Sequence, residues 1–158
     1  MADDVIVVWQ DSYSVGVPLV DSQHKELINL TNKLHSACRK GQDFSKTVFL
    51  QTIRGAVDYV GYHFSTEEKM MTRVNYPGYP DHKKQHEDFV RVVVKEVDNF
   101  TNGGEFSPEN FVFFLRDWVL NHIAHTDTKM GQYLLDLEKQ GGLEGVSLQK
   151  IQDDASKA

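Results

Sequence analysis

Apolar residues recur at spacings of three and four over four long stretches of this chain, the mark of one buried helix face in each. From Asp21 to Arg39 the residues His24, Leu27, Ile28, Thr31, Leu34, His35 and Cys38 share a face, with Asp21 as N-cap and Gly41 as stop. From about Ser45 to Arg73 the stripe is Ile53, Val57, Val60, Phe64, Glu67 and Met71, flanked by Ala56, His63 and Met70. It ends in NYPGYPD, whose prolines and glycine break a helix. A third stretch, from about Asp81 to Phe100, carries His82, His86, Phe89, Val90, Val93, Val97 and Phe100 in register before TNGGEFSP closes it. Ser107, Pro108 and Glu109 then read as N-cap, first helical position and acidic first turn of a fourth helix reaching about Lys139.

Four amphipathic helices with short connections predict an all-α fold, an up-down-up-down antiparallel four-helix bundle. Residues 1–20 show little helical period, but Trp9 and the run VGVPLV give them apolar side chains to bury, so they are expected to form an extended N-terminal arm. Bundle and arm together span 1–140. The remaining segment, 141–158, follows a glycine pair, is too short for a second domain, and is expected to be a mobile tail or a short helix.

Length and charge narrow the function. A chain of 158 residues fits one domain with a sizeable core. Its 17 Lys+Arg against 23 Asp+Glu give a net charge of -6, and no basic block is present to neutralise a phosphate backbone, which argues against nucleic acid. The start MADDVIVVWQ is acidic where a secretory signal is positive, and VIVVW is too short to span a membrane, so a soluble, cytoplasmic protein is expected. The single cysteine, Cys38, excludes an internal disulfide and cannot by itself make a thiolate metal site.

Histidine changes the picture. Seven are present, at positions 24, 35, 63, 82, 86, 122 and 125, and most fall inside the apolar stripes. A helix turns ~100° per residue, so Glu67 lies ~40° from His63, on the stripe, while Glu68 lies ~140° away and is expected to face water. The same arithmetic groups His82 with His86, and places His24 and His122 on the stripes of the first and fourth helices. A buried imidazole or carboxylate left unpaired costs roughly several kcal/mol. One such histidine could be satisfied by a carbonyl, but a set spread over four helices points to a shared cation. Histidines at i, i+4 present two nitrogens to one ion, and a carboxylate can bridge two. Imidazole and carboxylate donors suit iron, zinc, copper or nickel, and spacing does not choose among them.

The runs WQDSYSVGVPLVDSQH, YHFSTEEKM, HKKQH and LRDWVLNHIAHTD, in that order across about residues 9–135, resemble the bacterial hemerythrin family. The resemblance implies that His82, His86 and His122 bind one iron and His24 and His63 the other, with Glu67, Asp127 and an oxo or hydroxo group bridging them. Counted against two octahedral ions, these donors leave one position open, on the iron with two histidines, where the family binds dioxygen. Phe64, Trp118, Val119 and Ile123 are then candidates for a dry oxygen pocket. His122 and Asp127 are five residues apart, ~140° on a regular helix, and a helical wheel would sooner select His125. Asp127 rests on the family's HxxxxD spacing and requires a bulge in the fourth helix or a side chain reaching in from the stripe's edge. His35 and His125 are expected to be non-ligands.

The function so implied is reversible dioxygen binding, as carrier, store or oxygen sensor, without enzymatic turnover. Association with or fusion to a signalling or oxygen-consuming protein is compatible with it, and no membrane segment is expected. The alternatives are a di-iron oxidase, peroxidase or nitric oxide reductase on the same bundle, and a structural bundle holding zinc.

Overall fold

A computed structural model describes residues 5–38 and 44–157; the stop expected at Gly41 lies outside them. The elements are α1 (Pro18–Cys38), α2 (Lys46–Arg73), α3 (Tyr79–Thr101), α4 (Pro108–His122), a π-helical turn (Ile123–Asp127), α5 (Thr128–Lys139) and α6 (Leu148–Ala155), with a 3-10 turn at Asp11–Tyr13. Helices α1, α2, α3 and the continuous run α4–π–α5 are the four rods of a helical bundle, and no strand occurs among the described residues. No described helix is long and apolar enough to cross a membrane.

Local chemistry explains most boundaries. Ser45 and Ser107 are N-caps whose side chains accept from Val48 N and Asn110 N, each at 3.3 Å. Helix α1 begins at Pro18, earlier than the expected Asp21, because proline fits a first helical turn that has no use for its missing N–H. The Asp21 carboxylate instead reaches back along the chain, accepting from Val15 N at 2.8 Å and Ser14 Oγ at 2.5 Å. It thereby pins the end of the N-terminal arm to the helix that follows.

The arm is held at two further points. Asn32 of α1 accepts from Ile6 N and Val7 N and donates to Val7 O at 2.8 Å, pairing with the arm's backbone as a strand would. Val15 and Val17 are buried, and a Cβ at Gly131 of α5 would collide with the Val15 carbonyl, so glycine in this helix permits the arm's close approach.

Along every rod a polar layer separates two apolar ones. At one end Val17, Val20, Met70, Met71, Met130 and Leu134 pack together with Leu148 and Ile151 of α6. At the other, Leu34, Phe49, Ile53, Phe89, Phe111 and Val112 form an aromatic-rich core. Two residues of the expected stripes, Val57 and Val90, are 37 % and 41 % exposed. They line an apolar cleft of about 140 Å³ between α2 and α3, where valines and Gly61 face each other and are too short to close the gap.

Residues after 140 continue into α6. Ser147 caps it, accepting from Lys150 N at 3.0 Å. Its buried face, Leu148, Ile151, Gln152 and Ala155, covers the methionine-rich end of the bundle, and Gln152 Oε1 accepts from Leu19 N at 2.9 Å.

Candidate metal centre

The polar layer contains His24 from α1, His63 and Glu67 from α2, His82 and His86 from α3, His122 from α4 and Asp127 from the π turn, and all seven are buried. Their donor atoms form two overlapping groups: Glu67, His82, His86, His122 and Asp127, and His24, His63, Glu67 and Asp127. Within each group the atoms lie within 4.8 Å of one another, and both groups share the two carboxylates.

Each carboxylate divides its oxygens between the groups. Glu67 Oε1 is 3.4 Å from His63 Nε2 and 3.7 Å from His24 Nε2, whereas its Oε2 is 3.4 Å from His82 Nε2 and 3.2 Å from His86 Nε2. Asp127 Oδ2 is 3.0 Å from His24 Nε2, and its Oδ1 is 3.1 Å from His82 Nε2 and 3.0 Å from His122 Nε2.

The π turn delivers Asp127. Thr128 N–H donates to Ile123 O, five residues back, and Thr128 Oγ1 donates to the same carbonyl at 2.8 Å. One residue more than an α turn requires brings position 127 back over position 122, which a regular helix would leave ~140° apart. The wheel's choice, His125, is exposed, with its Nδ1 3.0 Å from Asn121 O. His35 is buried but packs beside Phe113, away from both groups.

The fit to cations is testable on these atoms. Both oxygens of Glu67, both oxygens of Asp127 and His24 Nε2 are buried without an aligned hydrogen bond, despite close contacts. His122 Nε2 lies 3.1 Å from His86 Nε2 and 3.2 Å from His82 Nε2. The Nδ1 atoms of His86 and His122 face acceptor oxygens, so in the neutral rings their Nε2 atoms carry lone pairs, which repel at this separation unless a positive centre lies between them. The donor set therefore fits two cations sharing two carboxylates.

Electrostatics without a cation support the same conclusion. Burial opposes charge on His24 and His82, but the Asp127 and Glu67 carboxylates outweigh it and raise both to about 9. For His63 burial prevails over the attraction of Glu67, and its pKa falls to about 4. Burial works against the charge of Glu67 and, with Glu67 itself, against that of Asp127; the surrounding imidazoles nevertheless hold both carboxyls well below their usual range.

The sequence of this centre and its bundle can be set beside known proteins. Residues 15–134 match the profile described as the Hemerythrin HHE cation binding domain. The chain belongs to the hemerythrin family. Bacteriohemerythrin of Stenotrophomonas maltophilia (strain R551-3) is 34% identical over 122 residues, 77% of each chain. Bacteriohemerythrin of Methylococcus capsulatus (strain ATCC 33009 / NCIMB 11132 / Bath) is 30% identical over 130 residues, 82% of this chain and 97% of its own. A wild-type hemerythrin crystal structure superposes with a TM-score of 0.75 at 28% identity, covering 80% of this chain and 96% of its own. All seven donors of the hemerythrin-like centre lie inside the matched segment.

The four residues expected to wall an oxygen pocket differ in what they touch. Phe64 stacks on His86 at 3.7 Å between ring centroids and Trp118 stacks on His122 at 4.4 Å, so both cover the three-histidine group. Val119 and Ile123 pack with Leu27, one turn along α1 from His24; Trp118 packs against this cluster as well, and Phe64 also lies 5.9 Å from the His63 ring. Leu27 itself was visible on the first stripe but carried no polar signal to single it out.

Sequence reasoning missed the outer partners of the imidazoles. Gln23 Oε1 accepts from His63 Nδ1 at 2.8 Å while Gln23 Nε2 donates to Thr66 Oγ1, and Gln85 Oε1 accepts from His122 Nδ1 at 3.1 Å and from Thr126 Oγ1 at 2.7 Å. Glu68, expected to face water, is a correction: its side chain is 26% exposed and its Oε1 lies 3.1 Å from His86 Nδ1. All three imidazole tethers cross between helices, so no spacing within one helix announces them.

Proposed function

We propose that this protein binds dioxygen reversibly at a non-haem di-iron centre. His82, His86 and His122 would hold one iron, His24 and His63 the other, and Glu67 and Asp127 would bridge them. The observation that carries this reading is the division of each carboxylate, one oxygen toward each group of histidines. Together with an oxo or hydroxo bridge, five imidazole nitrogens and four carboxylate oxygens leave one position open on a pair of octahedral ions, on the two-histidine side. Bound in its ferrous form, the iron pair supplies the electrons and the open position that dioxygen requires. The relatives named bacteriohemerythrin and myohemerythrin support the assignment.

The chain's own residues account for the rest. Gln23 and Gln85 orient His63 and His122 by their outer nitrogens, so that the inner nitrogens face the carboxylates. Leu27, Val119 and Ile123 are buried, exclude water and offer no proton beside the two-histidine side. Binding without turnover follows from the donor set, since neutral imidazoles stabilise high oxidation states less than a carboxylate-rich site does. The same centre serves a carrier, a store or an oxygen sensor, in the cytoplasm, with or without a signalling or oxygen-consuming partner.

The test is anaerobic preparation of the ferrous protein, an absorption spectrum on adding oxygen, and another after argon flushing. A coloured adduct that reverses is expected, with two irons per chain by metal analysis. Immediate conversion to an inert ferric form would favour the oxidase or peroxidase reading, and one ion per chain, or mainly zinc, would overturn the di-iron centre.

A further inference from the structure

The outer nitrogens of the five imidazoles are treated differently. Those of His24 and His82 have no hydrogen-bond partner. His63 and His122 are met by the neutral carbonyl oxygens of Gln23 and Gln85. His86 alone among the five is met by a carboxyl side chain, Glu68, at 3.1 Å. Its ring is also clamped flat against Phe64, with 5° between the planes, so the Nδ1–H direction is fixed.

Glu68 occupies a position with two surroundings. One oxygen reaches His86, while the side chain borders an open cleft between α2 and α3 lined by Ser65, Lys69, Thr72, Glu87 and Arg91. Unlike Glu67 one residue before it, the Glu68 side chain is partly in water, and its oxygen reaches an imidazole that is only 2% exposed. A carboxylate accepting from Nδ1–H makes the imidazole a stronger donor through Nε2 and fixes its tautomer, where an amide carbonyl does so only weakly.

Resting on the di-iron reading above, we propose that Glu68 is a positioning residue that makes His86 the most basic imidazole donor of the centre, lowering the reduction potential of the three-histidine iron. The consequence is an electronic asymmetry: the ion remote from the open position is the more readily oxidised one. Being bordered by the cleft, Glu68 also places the control of that potential where solvent and cations reach it.

The test compares the wild type with Glu68→Gln and Glu68→Ala, each loaded with iron anaerobically. Glu68→Gln keeps an acceptor of the same shape and removes the charge, so a merely structural role predicts wild-type behaviour. The proposal predicts a reduction potential raised by a tenfold or larger change in the ferric-to-ferrous ratio, about 59 mV for one electron, in Glu68→Gln at unchanged iron content. Glu68→Ala should match or exceed it. As a readout independent of iron, the Nδ1 resonance of His86 in ¹⁵N NMR of the zinc-loaded protein should shift in Glu68→Gln while that of His63 stays in place. Equal potentials in wild type and Glu68→Gln, each holding two irons, would overturn the role of Glu68 alone. A wild type that takes up no iron would overturn the reading beneath it.

Discussion

The two sides of the polar layer are built unlike each other. His86 and His122 are each covered by a stacked aromatic ring and tied at the outer nitrogen by Glu68 and Gln85, while His82 meets both of their rings edge to face. His24 and His63 meet edge to face at 4.9 Å, with Gln23 as their one outer tether and the aliphatic side chains of Leu27, Val119 and Ile123 nearby. Rigid, flat neighbours suit a side that must only hold its ion. Aliphatic neighbours suit a side that must hold an ion and leave room beside it, because methyl groups repel water without filling a position with a ring. The bridging carboxylates are common to both sides, so they are where the comparison can be broken outright.

Glu67→Ala has the largest expected effect. It removes one donor from each group at once, and metal analysis should find both irons lost, where a substitution on one side would lose one. Retention of a single tightly held iron in this variant would show that Asp127 and the histidines suffice on one side. Leu27→Ala comes next: the cavity it leaves should cost about 2–5 kcal/mol in thermal or denaturant unfolding, and it should shorten the lifetime of the dioxygen adduct by admitting water on the two-histidine side. An unchanged lifetime at reduced stability would make Leu27 plain core. Gln23→Leu should weaken metal binding on that side alone, by about 10- to 100-fold, read by competition with a chelator. Equal weakening of both ions would mean that the two sides do not act separately.

The smallest effect is a proton count. In the metal-free protein His24 and His82, held near 9, carry protons at pH 7, and cations must displace them. Adding metal to the metal-free chain in weak buffer should therefore release about two protons, fewer as the pH approaches 9. The sign for stability follows from the same shifts. These two histidines, raised above their unfolded value, stabilise the metal-free fold fully below pH 6.5 and lose that contribution as the pH rises through about 9. His63, depressed to about 4, acts in the opposite sense, withdrawing stability as the pH falls from 6.5 toward 4.

Helical phase alone separated Glu67 from Glu68 correctly as to which one lies on the core face, since a rotation of ~40° against ~140° is a property of one helix. It misjudged Glu68 because a position at the border of a buried face is settled by the neighbouring helix. Helix α3 brings His86 within hydrogen-bond reach, and nothing in the run HFSTEEKMM encodes that distance. Val57 and Val90 teach the same lesson in reverse: in phase with their stripes, they remain exposed because they border a cleft between α2 and α3 that the facing side chains do not close.

What the chain determines by itself is what repeats along a single rod: four amphipathic helices, the serine cap at Ser107, and the inward set His24, His63, Glu67, His82, His86 and His122. Asp127 was legible only through the HxxxxD spacing of a resembling family, since its phase is wrong for an α-helix and right only for the π turn that forms at 123–127. Tertiary structure decided the remainder: which oxygen of each carboxylate faces which histidines, the three tethers from Gln23, Gln85 and Glu68, and the docking of α6 over the methionine-rich end. The physical reason is range, because helical periodicity fixes direction about one axis, whereas coordination and hydrogen bonding depend on distances between axes that only packing sets.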